Sequence, residues 1–169
     1  MGCESALSTP LHLLSHEWRP PPLHRSVVTG SKDGSVKLSR VQPHGTLASV
    51  RAWDDAHGGA VVKCVRFRPN PGDCGAASVA ASAGNDGCVR LWDARAPGKE
   101  AQAALRATDA AANVVEWHSR NEHLVMAAGF DAGVPLWDLR RPDQPTAVLR
   151  GHCGPGRVGK IYRPVFVDG

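Results

Sequence analysis

Apolar and small residues come in short runs along this chain, each broken by polar or turn-forming residues. "RSVVTG" (25–30) and "SVKLSRV" (35–41) flank Asp33-Gly34. "ASVAASAG" (77–84) and "CVRLWDA" (88–94) flank Asp86-Gly87. "HLVMAAG" (123–129) and "VPLWDLR" (134–140) flank Asp131-Ala132-Gly133. Runs of this length meeting at Asp/Gly turns predict hairpins, with turn residues that tolerate φ > 0. A further apolar run stands ahead of two hairpins: "VVKCVRFRP" (61–69), with Val62, Val65 and Phe67, and "NVVEWHS" (113–119), with Val115 and Trp117. A looser outer segment follows each, "EAQAALRA" (100–107) and "QPTAVLRGH" (144–152). The unit is therefore about four short strands with no helical period between them, and the fold class is all-β. Residues 1–24 read differently. "EWRPPPLHR" is proline-rich and cannot join a central strand, so this segment is expected to be an irregular lead-in.

The second and third hairpins share an ending. Leu91-Trp92-Asp93-x-Arg95 and Leu136-Trp137-Asp138-x-Arg140 stand 45 positions apart (136 − 91). In both, the turn aspartate precedes the Trp by six. Asp33 precedes Ser39 by six as well, which makes a third copy with Ser in the Trp position. Self-similarity at a fixed period marks a repeat architecture. The repeat domain spans 25–169, with units at about 25–56, 57–107 and 108–152 and a partial unit at 153–169. The partial unit's "VGKIYRPVFV" (158–167) reads as the opening strand of a fourth.

Composition narrows the picture. With 169 residues, 42% hydrophobic, 18 Gly and 13 Pro, the chain can build a core from many short strands. Net charge is +4, and the basic residues are spread singly along strands and turns. Nucleic-acid binding would call for a basic stripe with aromatic platforms, so no nucleic-acid partner is expected. No apolar run approaches the ~18 residues of a membrane span, and no membrane partner is expected either. Five cysteines, at 3, 64, 74, 88 and 153, form no CxxC pair, which argues against a disulfide framework or a zinc site. A reducing compartment, cytoplasm or nucleus, fits best.

Four strands per unit, the period near 45, Gly151-His152, and the Trp-Asp pairs at 92–93 and 137–138 resemble the WD40 repeats of a β-propeller. The resemblance implies a partial propeller of about three four-stranded blades plus a fragment. It also implies a structural network in each unit joining the turn Asp, the Trp indole, a His before the first strand and a Ser/Thr on the second. The second unit supplies Asp86, Trp92, His57 and Ser82. The third has Asp131 and Trp137, with "RATDA" where His would stand; the first has Asp33 and Thr29 but no Trp. Uneven blade stability is expected. Propellers have 4–8 blades, more than this length holds. A chain cut short of the full ring is the favoured reading, and self-association of the incomplete propeller is the alternative.

The same resemblance gives the endings a meaning. In the family, WDxR marks subunits that dock on the damaged-DNA-binding adaptor of a cullin-RING ubiquitin ligase. Arg95 and Arg140 are the partner-binding candidates, since a guanidinium fork at a strand end can reach carbonyls or carboxylates. The expected function is a non-enzymatic protein-interaction scaffold and ligase substrate receptor. A histone-binding chromatin subunit and a peroxisomal import receptor are the alternatives within the family, and an enzyme is the rival from another class. The mild positive charge argues against histones. No GxSxG, Cys–His or metal-spaced set supports catalysis or a cofactor. "GPGRVGK" (154–160) imitates a phosphate loop, but Ile161 follows the lysine and no helix opens there. "MGCESA" lacks the Ser/Thr that an acylation signal wants at position six.

Overall fold

The structure, a computed structural model, describes residues 13–18 (backbone only), 26–69, 78–152 and 159–167. Twelve strands form three antiparallel sheets. Blade 1 holds β1 (Leu13–Trp18), β2 (Ser26–Ser31), β3 (Val36–Val41) and β4 (Leu47–Trp53). Blade 2 holds β5 (Val62–Phe67), β6 (Val79–Gly84), β7 (Cys88–Asp93) and β8 (Ala103–Arg106). Blade 3 holds β9 (Ala112–Trp117), β10 (Leu124–Gly129), β11 (Val134–Asp138) and β12 (Ala147–Leu149). Strand order follows chain order in every sheet. The innermost strands lie side by side, β1 against β5 and β5 against β9, so the sheets stack as consecutive blades.

The core lies between blades, because strand alternation sends neighbouring side chains to opposite faces. Trp92 joins Val28, Val36, Leu38, Trp53 and Val65 in the cluster that blades 1 and 2 share. Its ring lies 5.2 Å from that of Trp53, centroid to centroid. Leu91, one position earlier, belongs to the other cluster, which blades 2 and 3 share and which includes Val115, Val125 and Trp137. The repeated Leu-Trp pair is thus the two-sided contact of a blade. Leu38 faces blade 2 in the same way, so Ser39 belongs to the side of blade 1 that no other described blade covers. Polar links reinforce the second boundary: Trp117 Nε1 donates to Arg66 O (3.3 Å), and Arg66 and Arg68 pair with Glu116 (3.4 Å) and Glu122 (3.6 Å).

Two turns need glycine. Gly34 and Gly87 sit at φ 85° and 75°. A Cβ on Gly87 would meet Thr108 O at 2.2 Å and Ala110 O at 2.5 Å. In both turns the aspartate accepts the N–H two residues on, Ser35 to Asp33 (2.9 Å) and Cys88 to Asp86 (3.2 Å).

Three expectations from the sequence are corrected. The segment 1–24 is not wholly irregular: β1 lies in it and pairs with β2, Trp18 opposite Val27 and Ser15 opposite Gly30. The prolines at 20–22 lie outside the described residues. Blade 1 therefore starts before residue 25. The third turn, Asp131-Ala132-Gly133, uses no positive φ, since Ala132 stands where Gly34 and Gly87 stand and Asp131 bonds to the N–H of Ala132 instead (2.6 Å). Residues 159–167 form no paired strand. They lie along blade 3, with Ile161 buried and donating to Gly129 O (2.9 Å), Lys160 over the Phe130 ring and Phe166 against His118. Cys3, Cys74 and Cys153 and most of "GPGRVGK" fall outside the described residues.

Candidate functional site

Each blade offers two places where polar side chains gather: the turn between its second and third strands, and the opposite rim, where the third strand ends. The turn end of blade 2 holds a chain of four hydrogen-bonded side chains. Trp92 Nε1 donates to Ser82 Oγ (2.8 Å), Ser82 Oγ lies 2.7 Å from His57 Nε2, and His57 Nδ1 lies 2.9 Å from Asp86 Oδ1. Local geometry sets the chain up. His57 arrives on the link from blade 1, where its N–H donates to Gly34 O (3.1 Å). Gly84 leaves room for the ring, since a Cβ there would stand 2.5 Å from Nδ1.

Electrostatics sets the charges. Burial lowers the His57 pKa; Asp86 pulls it up, less strongly, and Arg90 pushes it down, so the ring is neutral. Burial alone would raise Asp86, but hydrogen bonds from Arg90 and His57 outweigh it and hold the carboxyl below its usual range. An ionised Asp86 can only accept. Nδ1 of His57 faces both this acceptor and, at 2.8 Å, Arg90 Nη1, which can only donate, and Ser82 Oγ accepts from Trp92 while bonding Nε2. Arg90 closes the chain by an ion pair with Asp86. Sequence reasoning missed Arg90, although its i+4 spacing from Asp86 was visible. The connectivity is that of a Ser–His–Asp relay, but Ser82 is fully buried with its oxygen occupied by an indole. This set anchors a blade; it cannot meet a substrate. Among the described residues no group of His, Cys, Asp and Glu is arranged to hold a metal.

The other blades lack the chain. In blade 3, Trp137 is buried but Ala127 takes the place of Ser82. Thr108 takes the place of His57, its N–H donating to Gly87 O (3.2 Å) as that of His57 does to Gly34 O. Asp131 is exposed and bonds only its own turn, so Asp131 and Trp137 are not brought together as the sequence reading had them. In blade 1, Thr29 Oγ1 turns to Lys37 O (3.5 Å). His152 is exposed.

The opposite rim carries the WDxR endings. Asp93 Oδ1 accepts from Arg95 N (2.9 Å) and Nε (3.0 Å), and Oδ2 from Nη2 (2.8 Å). Asp138 holds Arg140 in the same way, at 3.0, 2.9 and 2.5 Å. Each guanidinium is thus set by the aspartate two positions earlier, with its side chain 68% exposed at Arg95 and 65% at Arg140. The Arg95 hydrogen bonds hold Asp93 below the carboxylate range, and those of Arg140 lower Asp138 to about 2. Arg95 lines a cleft of about 290 Å³ with Asp93, Trp117, His123, Leu139 and Pro142, at the junction of blades 2 and 3. Arg140 lines a depression of about 590 Å³ with Arg141, Gln144 and Thr146.

The family model described as WD domain, G-beta repeat (WD40), matches residues 47–93. That span runs from β4 through β7, so the sequence repeat begins on the outer strand of one blade and ends on the third strand of the next. Residues 47–93 thus match a WD40 repeat, and the chain is similar to WD repeat-containing proteins. It is 29% identical over 154 residues to the WD repeat-containing protein RUP2 of Arabidopsis thaliana, covering 89% of this chain and 40% of that one. It is 29% identical over 149 residues to RUP1 of the same plant (88% and 37%). Against nucleoporin Nup43 of Homo sapiens it is 27% identical over 128 residues (75% and 31%). The chain therefore spans less than half the length of these curated relatives. Among the described residues no helix is long and apolar enough to cross a membrane.

Proposed function

We propose that this WD40-repeat chain is a protein-interaction scaffold that docks on the damaged-DNA-binding adaptor of a cullin-RING ubiquitin ligase, with Arg95 and Arg140 as its contacts. One observation carries the reading. Two guanidinium groups, each locked by the aspartate of its own Trp-Asp pair, stand exposed at equivalent strand ends of adjacent blades. An arginine whose rotamer is already set loses less entropy when it meets a partner. Two forks one blade apart suit a carbonyl-rich or acidic surface better than a point contact. The names of similar proteins, which include a nucleoporin, a ribosome biogenesis protein and a methylosome protein, point to no single partner, so the reading rests on the rim. The test is capture of purified adaptor by immobilised chain, parent beside the double variant Arg95→Ala, Arg140→Ala. Capture by the parent and its loss in the double variant supports the reading. Failure of the parent to capture, or equal capture by both, overturns it.

A further inference from the structure

The loop that carries Arg95 runs from Ala94 to Gln102, between β7 and β8 of blade 2, yet blade 1 holds it. Arg51, on the outer strand β4 of blade 1, sends Nη2 across the boundary to two loop carbonyls, Ala96 O (2.9 Å) and Gly98 O. Ala94 and Ala101, at the two ends of the loop, pack against the apolar cluster that blades 1 and 2 share. Lys99 Nζ lies 3.8 Å from Asp54 Oδ2, just past the end of β4. The loop's two ends are bonded within blade 2, Ala94 N to Ser78 O (2.7 Å) and Gln102 N to Leu91 O (2.9 Å), and Arg51 supplies the bonds that tie its middle to blade 1.

The next boundary is built differently. Register places Arg51 opposite Leu38 in blade 1 and Ala103 opposite Leu91 in blade 2. Leu38 and Leu91 occupy the same repeat position, five beyond Asp33 and Asp86, so Ala103 stands where Arg51 stands. An alanine cannot cross to the loop of blade 3, and Ala103 instead lines the open cleft between the blades. Arg140 is set by Asp138 of its own blade.

We infer that Arg51 is a positioning residue for docking through Arg95: by clamping the Ala96 and Gly98 carbonyls it fixes the loop, and so the place of the Arg95 guanidinium on the rim. Arg140 is positioned independently. The inference rests on the docking reading above, which assigns Arg95 its contact. An arginine is suited to the task because its planar fork reaches carbonyls with little loss of freedom per bond. Releasing the loop makes its ordering part of the cost of binding, which corresponds to an affinity loss of roughly threefold to tenfold.

The experiment is a double-mutant cycle on the full chain, reading affinity for the purified adaptor. Arg51→Ala is made in the parent, in Arg95→Ala and in Arg140→Ala. Positioning predicts the threefold to tenfold loss in the parent and in Arg140→Ala, no further loss in Arg95→Ala, and partial rescue by Arg51→Lys, which can still reach one carbonyl. A merely structural role would weaken binding equally in all three backgrounds, and that result overturns the inference. Hydrogen exchange, read in parallel, keeps the inference testable if the parent does not bind the adaptor and the docking reading itself fails. Arg51→Ala is expected to speed exchange of the 95–102 amides at least tenfold and leave 139–146 unchanged. Unchanged exchange at 95–102 overturns the clamp whatever the adaptor does.

Discussion

Replacing Trp92 by alanine tests the packing account at its centre. Trp92 is 2% exposed, packs its ring at a tilt against that of Trp53 and donates to Ser82 Oγ. An aromatic of this size hides roughly 150–250 Å². At about 25 cal/mol per Å² that is about 4–6 kcal/mol of transfer free energy. Partial collapse of the site brings the expected loss to about 3–5 kcal/mol. Loss of the indole donor leaves the buried Ser82 oxygen one bond short, which adds about 1 kcal/mol. Trp137 is equally buried but belongs to no such chain, so Trp137→Ala should cost less than Trp92→Ala by about that 1 kcal/mol. Trp92→Phe isolates the polar part and should cost about 1–2 kcal/mol. The assay is urea unfolding by far-ultraviolet circular dichroism, with the m value checked for constancy because stacked repeats depart readily from two-state behaviour. A loss below ~1 kcal/mol for Trp92→Ala, or zero coupling between Trp92→Phe and Ser82→Ala, would refute the reasoning.

Acid should loosen blade 2. His57 is neutral in the fold, with its pKa below the 6.5 of the open chain, so the unfolded state binds the proton more readily and stability falls as pH drops through 6.5. Asp86, also lowered, contributes stability above 3.8 that is lost on further acidification. Denaturant midpoints between pH 7.5 and 5 should fall, and His57→Asn should flatten the slope; a midpoint that rises on acidification contradicts this. Asp138 should titrate near 2 in a carboxyl-carbon NMR experiment and return towards 3.8 in Arg140→Ala; an unchanged titration would show that the fork is not held in solution. Gly87→Ala should cost about 2–4 kcal/mol, since positive φ and two backbone carbonyls both oppose the methyl. Gly58→Ala, at φ 58° with open space around it, should cost only about 1 kcal/mol, and equal losses would show that the close approach of Thr108 O is immaterial.

The hairpins were legible because turns built on Asp and Gly open all three return strands, and the Leu-Trp-Asp ending marks the far side of the second and third. β1 was not, because the proline run at 20–22 coloured the whole lead-in while the strand stops at Trp18. The blade 2 chain could be assembled from the sequence, since the WD40 resemblance named a position for each of its four members. Blade 3 could not: Asp131 and Trp137 match the pattern, and only the register shows that Ala127 and Thr108 leave them without the residues that would join them. Ser39 looked like a defect in a repeat, whereas strand alternation puts it on the side of blade 1 that no described blade covers. Arg51 had no signal at all, because its partners Ala96 and Gly98 lie 45 and 47 residues on and in another blade.

Affinity for the purified damaged-DNA-binding adaptor, measured by calorimetric titration of the parent, each single arginine variant and the double variant, tests the docking claim most directly. The account predicts measurable binding by the parent and losses of about thirtyfold or more for Arg95→Ala and for Arg140→Ala, as for interface hot-spot arginines. The double variant should show no detectable heat. Its melting temperature should stay within about 2 °C of the parent's, since both side chains are exposed. A parent that does not bind, or a double variant that binds as tightly as the parent, contradicts the account and returns both arginines to the role of ordinary strand-end residues.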